Sequence, residues 1–306
     1  MHKIFLEALE QLLPRLTTTG TISATYAPID DHAACLNRFH KGSAFQTSIH
    51  CNQGSVYAPP IPFIAPSPDG AYNYLHLSVN PGLAKASKPS PELRSATGSD
   101  DWRDYADFYV DAAKGKAYHH ILPSKFFTSR LKLIWGIQKC KFPTDAPCKT
   151  EGNGDTDFIK ENGILFAHTV PFRSSNAGID LGTLCGHIKA CDGSDYPGYH
   201  HYLLEKLIGA LNNRGTIIVD GKLAADAFLC HAYQYGSVTN VARFDCYMTP
   251  VAGTTNEPKA TLLCYNGHPA VVLHDFIGAR TGCFNSAHAL AAVVNAFCHH
   301  FRTNPC

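Results

Sequence analysis

Short apolar runs with strand character alternate along this chain with stretches of helical periodicity, and that alternation limits the fold more than any other feature. Tyr72-Asn-Tyr-Leu-His-Leu-Ser-Val79, Ile164-Leu-Phe-Ala-His168 and Thr216-Ile-Ile-Val219 are apolar, aromatic or β-branched and end abruptly in turn chemistry. Residues 242–249 and 260–266 read as further strands. Helical stretches separate them. One enters near Trp102, where Asp100 or Asp101 is placed to cap. The others span 121–139 (with one basic side), Tyr199 to Leu211, Leu223 to Tyr233 and Ser286 to Phe301. Strands alternating with helices argue for a parallel sheet covered on both faces. The expectation is an α/β fold: a three-layer α/β/α arrangement around a central, mainly parallel sheet of four or five strands. With no repeat and no linker in sight, residues 1–306 read as one domain. Its N-terminal elaboration covers about 1–70, interrupted by Pro28, Pro59, Pro60, Pro62, Pro66 and Pro68, and its core about 70–300.

Composition excludes several classes. Charged residues are 17% of the chain and the net charge is +1, so any nucleic-acid contact must come from a local patch. The first 13 residues form an amphipathic helix with two glutamates, not the apolar core of a signal peptide. No apolar run reaches the roughly 18 residues of a membrane span. These features predict a soluble, cytoplasmic chain with no membrane partner. There are 12 cysteines but no C-x-x-C and no H-E-x-x-H. Cys140/Cys148 and Cys185/Cys191 are too widely spaced for zinc knuckles, so the cysteines are expected mostly as buried, reduced small hydrophobes, with no metal. No phosphate-binding glycine loop is present, and no cofactor is expected.

Three strand tips carry polar groups. Asn80-Pro81-Gly82 follows the first run, His168 ends the second, and His268-Pro269 follows Thr261-Leu-Leu-Cys-Tyr-Asn-Gly267. Parallel strands bind ligands outside their carboxyl ends, so three such tips are expected to converge. Taken singly, each reads as a tight turn or a satisfied structural histidine.

Leu77-Ser-Val-Asn-Pro-Gly82 resembles the first active-site motif of the uracil-DNA glycosylase superfamily, in the Asn-Pro-Gly form of its mismatch-specific and single-strand-selective members. Leu165-Phe-Ala-His-Thr-Val-Pro-Phe-Arg173 is similar to the family's second strand, and Ile217-Ile-Val-Asp-Gly-Lys222 to the third strand and following helix. His268-Pro269 resembles the start of the second motif, and Gly282-Cys-Phe-Asn-Ser-Ala-His-Ala-Leu290 the closing helix. The resemblance spans about residues 70–300, in the family's order. It implies hydrolysis of a base–deoxyribose bond after the base leaves the stack. Asn80 would orient water, since an amide positions a nucleophile without being a strong base. His268 would stabilise charge on the departing base. His168 stands where relatives carry a base-reading Asn, which points away from plain uracil. Gly82 stands where strict uracil enzymes carry a Tyr that blocks C5, so the pocket is expected to admit a C5-modified pyrimidine. A bulky phage-type modified cytosine, removed in antiviral defence, is one such substrate.

The resemblance also implies the rest of the site. Ser78, Val79, Pro81, Gly82 and Phe172 would wall the pocket. Phe108 and Tyr109 would stack on a base or, equally, bury one face of a helix. Lys85, Ser87, Lys88 and Arg280 would contact phosphate, and Leu273 or Phe276 would wedge the duplex or else pack in the core. The partner is DNA and the chain a monomer. Competing readings are a uracil or thymine-mismatch repair enzyme, a non-catalytic DNA-binding module and a Cys–His hydrolase. A metal protein using His119/His120, His200/His201 or His299/His300 is a further one, though adjacent histidines diverge on any regular element.

Overall fold

The computed structural model describes residues 1–12, 48–51, 54–57, 60–79, 101–112, 125–143, 154–171, 196–251, 258–277 and 282–306. Asn80, Pro81, Gly82, Lys85, Ser87, Lys88, Phe172 and Arg280 lie outside the described residues. The protein is α/β, and its contacts divide it into two compact units, one drawn from Met1–Gly70, Val79–His120 and Leu165–Gly209, the other from Ala71–Ser78, Ile121–Ile164 and Ala210–Cys306.

In the first unit, β1 (Ser48–Cys51) and β2 (Gly54–Tyr57) form an antiparallel pair. β3 (Phe63–Ile64) pairs antiparallel with β5 (Ile164–His168), Phe63 opposite Ala167. Helix α1 (His2–Leu12) packs on α2 (Trp102–Val110) and α5 (Tyr196–Gly209). Asp101 caps α2 as expected: its carboxylate accepts from the Arg103 amide at 2.7 Å. Phe5, Tyr105 and Tyr109 are at most 1% exposed, and the Phe5 ring stacks on Tyr109 with centroids 6.1 Å apart. Tyr109 is therefore core, not a base-stacking surface, and Phe108 sets its ring edge against it at 5.1 Å. The same 3–4 residue spacing served both readings, and burial of the α2 face against α1 decides between them.

Among the described residues, the second unit holds five strands in the order β4 (Tyr72–Ser78), β6 (Leu211–Asp220), β9 (His268–Leu273), β8 (Ala260–Tyr265), β7 (Val238–Phe244). β4–β6 and β6–β9 are parallel, whereas β9–β8 and β8–β7 are antiparallel. The expected mainly parallel sheet is thus mixed. The cause is local: Asn266 and Gly267 both have positive φ, 50° and 84°, and make a two-residue hairpin that returns the chain at once. The strand read over 242–249 lies at 238–244 instead. The third strand continues past Thr216–Val219 in both directions: Leu211 pairs with Tyr72, and Asn212 to Gly215 form a register irregularity before Thr216 pairs with Tyr74.

Helices α3 (Lys125–Lys139), α4 (Gly154–Glu161), α6 (Lys222–Tyr235) and α7 (Ala287–Thr303) complete this unit. α6 packs on β6 and β9, and its His231 Nε2 meets the Tyr265 hydroxyl at 2.9 Å. α7 packs on α3, where a Cβ at Gly136 would stand 2.7 Å from Val294, so glycine permits the approach. Cys246–Cys283 and Cys264–Cys306 are disulfides, while Cys140 and Cys230 are exposed thiols and Cys298 a buried one. The expectation of mostly buried, reduced cysteines therefore fails for six of the seven cysteines so characterised. Each disulfide joins segments close in space but 37 and 42 residues apart in sequence, which no C-x-x-C spacing signals.

Candidate functional site

In the first unit, Val79, which follows β4 in the chain, meets Val170, which follows β5. The Val170 amide donates to the Val79 carbonyl at 2.6 Å, and Asn80 follows Val79 directly in the chain. His168 ends β5 and is 6% exposed. Its amide donates to the Pro62 carbonyl at 2.9 Å, and its carbonyl accepts from the Tyr199 hydroxyl at 3.4 Å. Tyr199 is fully buried, and desolvation pushes its phenol far above the ordinary range, so it stays a neutral donor. Val79, the residue before Asn80, and Val170, two residues after His168, are thus hydrogen-bonded partners, while Asn80 itself lies outside the described residues.

His268, in the second unit, is not at the carboxyl end of a strand. It opens β9 rather than closing a strand, and its Nδ1 lies 3.0 Å from the Gly215 carbonyl. β9 runs parallel to β6 and β4, so its carboxyl end is Leu273, level with Asp220. His268 sits five residues before Leu273, roughly 16 Å away at the amino edge. The hairpin at Asn266-Gly267 is the reason, and Asn-Gly is the strongest short hairpin signal a sequence offers. Leu273 is likewise no wedge: it is 0% exposed and pairs with both Asp220 and Ala260.

At the carboxyl edge of the second unit stands a buried charged cluster. Asp220 ends β6 and is 0% exposed. One of its oxygens accepts from Arg130 on α3, itself buried, and the other from the Ile277 amide at 2.7 Å. His76 Nε2 of β4 lies 3.7 Å from the Arg130-bonded oxygen. The Phe276 ring covers Arg130, with its centroid 4.7 Å from the guanidinium carbon. Phe276 is thus engaged with protein charge. Burial raises the Asp220 carboxyl above its usual range, while Arg130 and the Ile277 amide pull it back. Beside it, Gly221 has φ 97° and leads into α6 with no side-chain cap.

A carboxylate so enclosed is an organiser rather than a general base. It ties the end of β6, helix α3 and the segment after β9 into one rigid edge, level with buried Ser78 through the Leu77–Val219 register. Sequence reading passed over Arg130 and His76. The signal for Arg130 was present: it shares one helical face with Phe127, Leu131 and Ile134, the buried stripe of α3.

A separate open concavity of about 860 Å³ lies between β7 and α7, lined among others by Arg243, Met248, His299 and His300. It contains none of the residues that carry the glycosylase resemblance. The chain matches no protein-family model, no curated protein and no solved structure.

Proposed function

We propose that this chain is a monofunctional DNA glycosylase that hydrolyses the N-glycosidic bond of a flipped-out, C5-modified pyrimidine and leaves an abasic site. The observation that carries the reading is the hydrogen bond from the Val170 amide to the Val79 carbonyl. It joins the residue just before the Asn-Pro-Gly turn to a residue just after His168, which supports reading the two motifs as parts of one pocket. Unstacking the base costs a few kcal/mol and is offset by a pocket that grips it. The Asn80 amide places water near C1′, which needs little activation once the sugar acquires oxocarbenium character. His168, with one donor and one acceptor, reads the base edge. Gly82, lacking a side chain, leaves space at C5 for a bulky substituent such as that of a phage-type cytosine. Lys85, Ser87 and Lys88, just beyond the turn, contact phosphate. His268, at the amino edge of β9, has no part in this chemistry, so charge on the leaving base falls to His168.

The test is a cleavage panel of duplexes and single strands carrying uracil, thymine mismatches, hydroxymethylcytosine or glucosylated cytosine, scored for alkali-labile sites. Release confined to the modified cytosines supports the reading. Release of uracil or mismatched thymine alone assigns the protein to repair instead. DNA binding without any abasic product leaves a non-catalytic module.

A further inference from the structure

We propose that Cys246, Cys283 and Asp275 form a zinc site that takes the place of the Cys246–Cys283 disulfide when the chain is reduced. The three residues come from separate segments: the turn after β7, the exit of β9 and the turn before α7. Their donor atoms all lie within 4.8 Å of one another, and among the described residues no other three Cys, His, Asp or Glu meet so closely. All three are partly exposed, so an ion and a water have a path in. Asp275 already faces the pair, its Oδ2 accepting from the Cys283 amide at 3.4 Å.

The donor set selects the metal. Two thiolates exclude magnesium and calcium, and a carboxylate beside them favours zinc over copper(I). Tetrahedral zinc with Zn–S near 2.3 Å holds its sulfurs about 3.8 Å apart, inside the existing envelope. Asp275 supplies the third ligand and water the fourth.

The redox step balances. Thiol–disulfide exchange with a dithiol reductant leaves two cysteine thiols and the reductant as its cyclic disulfide. Zinc binding then releases both thiol protons to solvent. Zinc ligation by Asp275 would tie in the 274–277 segment, whose Phe276 covers Arg130 and whose Ile277 amide holds Asp220. DNA in a reducing compartment meets the reduced form, yet the zinc site does not depend on the glycosylase reading.

The experiment opens the disulfides with a phosphine, which takes oxygen from one water as its two protons pass to the sulfurs. Gel filtration with zinc and elemental analysis of the protein peak follow. The expected result is about one zinc per reduced chain and none on the oxidised chain. Cobalt(II) should give a thiolate charge-transfer band in the near ultraviolet. Asp275→Asn keeps its disulfide for folding and, after reduction, should bind zinc at least about ten-fold more weakly. A Cys264→Ser/Cys306→Ser double variant should bind as the parent does. Reduced parent retaining no more zinc than Cys246→Ser overturns the proposal. So does Asp275→Asn binding as tightly as the parent, which decides the matter even where Cys246→Ser fails to fold.

Discussion

Arg130 and Asp220 meet in a fully buried ion pair that joins the middle of α3 to the carboxyl end of β6. Charges removed from water this completely are stable only while each has the other. Arg130→Met therefore leaves an uncompensated carboxylate and should lower the unfolding free energy by about 3–5 kcal/mol. The double variant Arg130→Met/Asp220→Leu should recover most of that loss in urea titrations. The pH dependence has a definite sign. Burial already raises the Asp220 carboxyl, and loss of Arg130 raises it further, so the folded state holds a proton that the unfolded chain releases. The Arg130→Met deficit should shrink as pH falls toward the ordinary carboxylate range. A deficit that widens on acidification would contradict this.

His268 and the Asn80 turn should separate cleanly in function. His268→Ala removes one contact to the Gly215 carbonyl at the amino edge of β9 and should leave base release within about two-fold of the parent. Asn80→Ala and His168→Ala should each lower release by about 10²-fold or more while retaining DNA affinity. Single-turnover cleavage beside a DNA-binding measurement reads both. Loss of release in His268→Ala would restore the role the motif implied for it.

Gly163 closes the turn between α4 and β5 with φ 54°, and its carbonyl accepts from the Asn73 and Tyr74 amides at 3.0 and 3.3 Å. A Cβ there would stand 2.2 Å from the Ala71 carbonyl oxygen. Gly163→Ala must therefore displace the start of β4, and a loss of about 2–4 kcal/mol in chemical denaturation is expected. A neutral result would mean that this turn yields without moving β4.

Cys298 lies on α7, and burial, then a hydrogen bond and charge from Cys140, push its thiol up to about 12, against an opposing pull from Arg302. The unfolded thiol ionises near 8.5. Between those values the folded state binds the proton more tightly, so this contribution is complete below the lower value and lost as pH rises through the upper one. Alkaline denaturation should begin earlier in the parent than in Cys298→Ala once that variant's cavity penalty is subtracted at neutral pH. In the folded protein, iodoacetamide should label Cys140 and Cys230 well before Cys298, as mass spectrometry would show.

Element type was legible wherever one period dominated. β5 was read residue for residue, and β4, α6 and α7 to within a few positions, because a run buried on both faces or a clear helical stripe leaves little choice. The errors sit where two readings share one pattern. His268-Pro269 after an apolar strand looks the same as a tip or as the far side of a hairpin, and Asn266-Gly267 decides. Arg130 on a basic helix looks solvated until a buried acid opposite it is known. The disulfides depend on segments that only the folded chain brings together.

Asn266 and Gly267 are both exposed, and open space surrounds the position a Cβ would take on Gly267. The bend stands at the opposite edge from Asp220 and Leu273, with β8 and β9 zipped together immediately behind it. It is a natural splice point. A reporter peptide or a pair of new termini placed there would leave the working edge of the protein undisturbed and give a handle for watching it act.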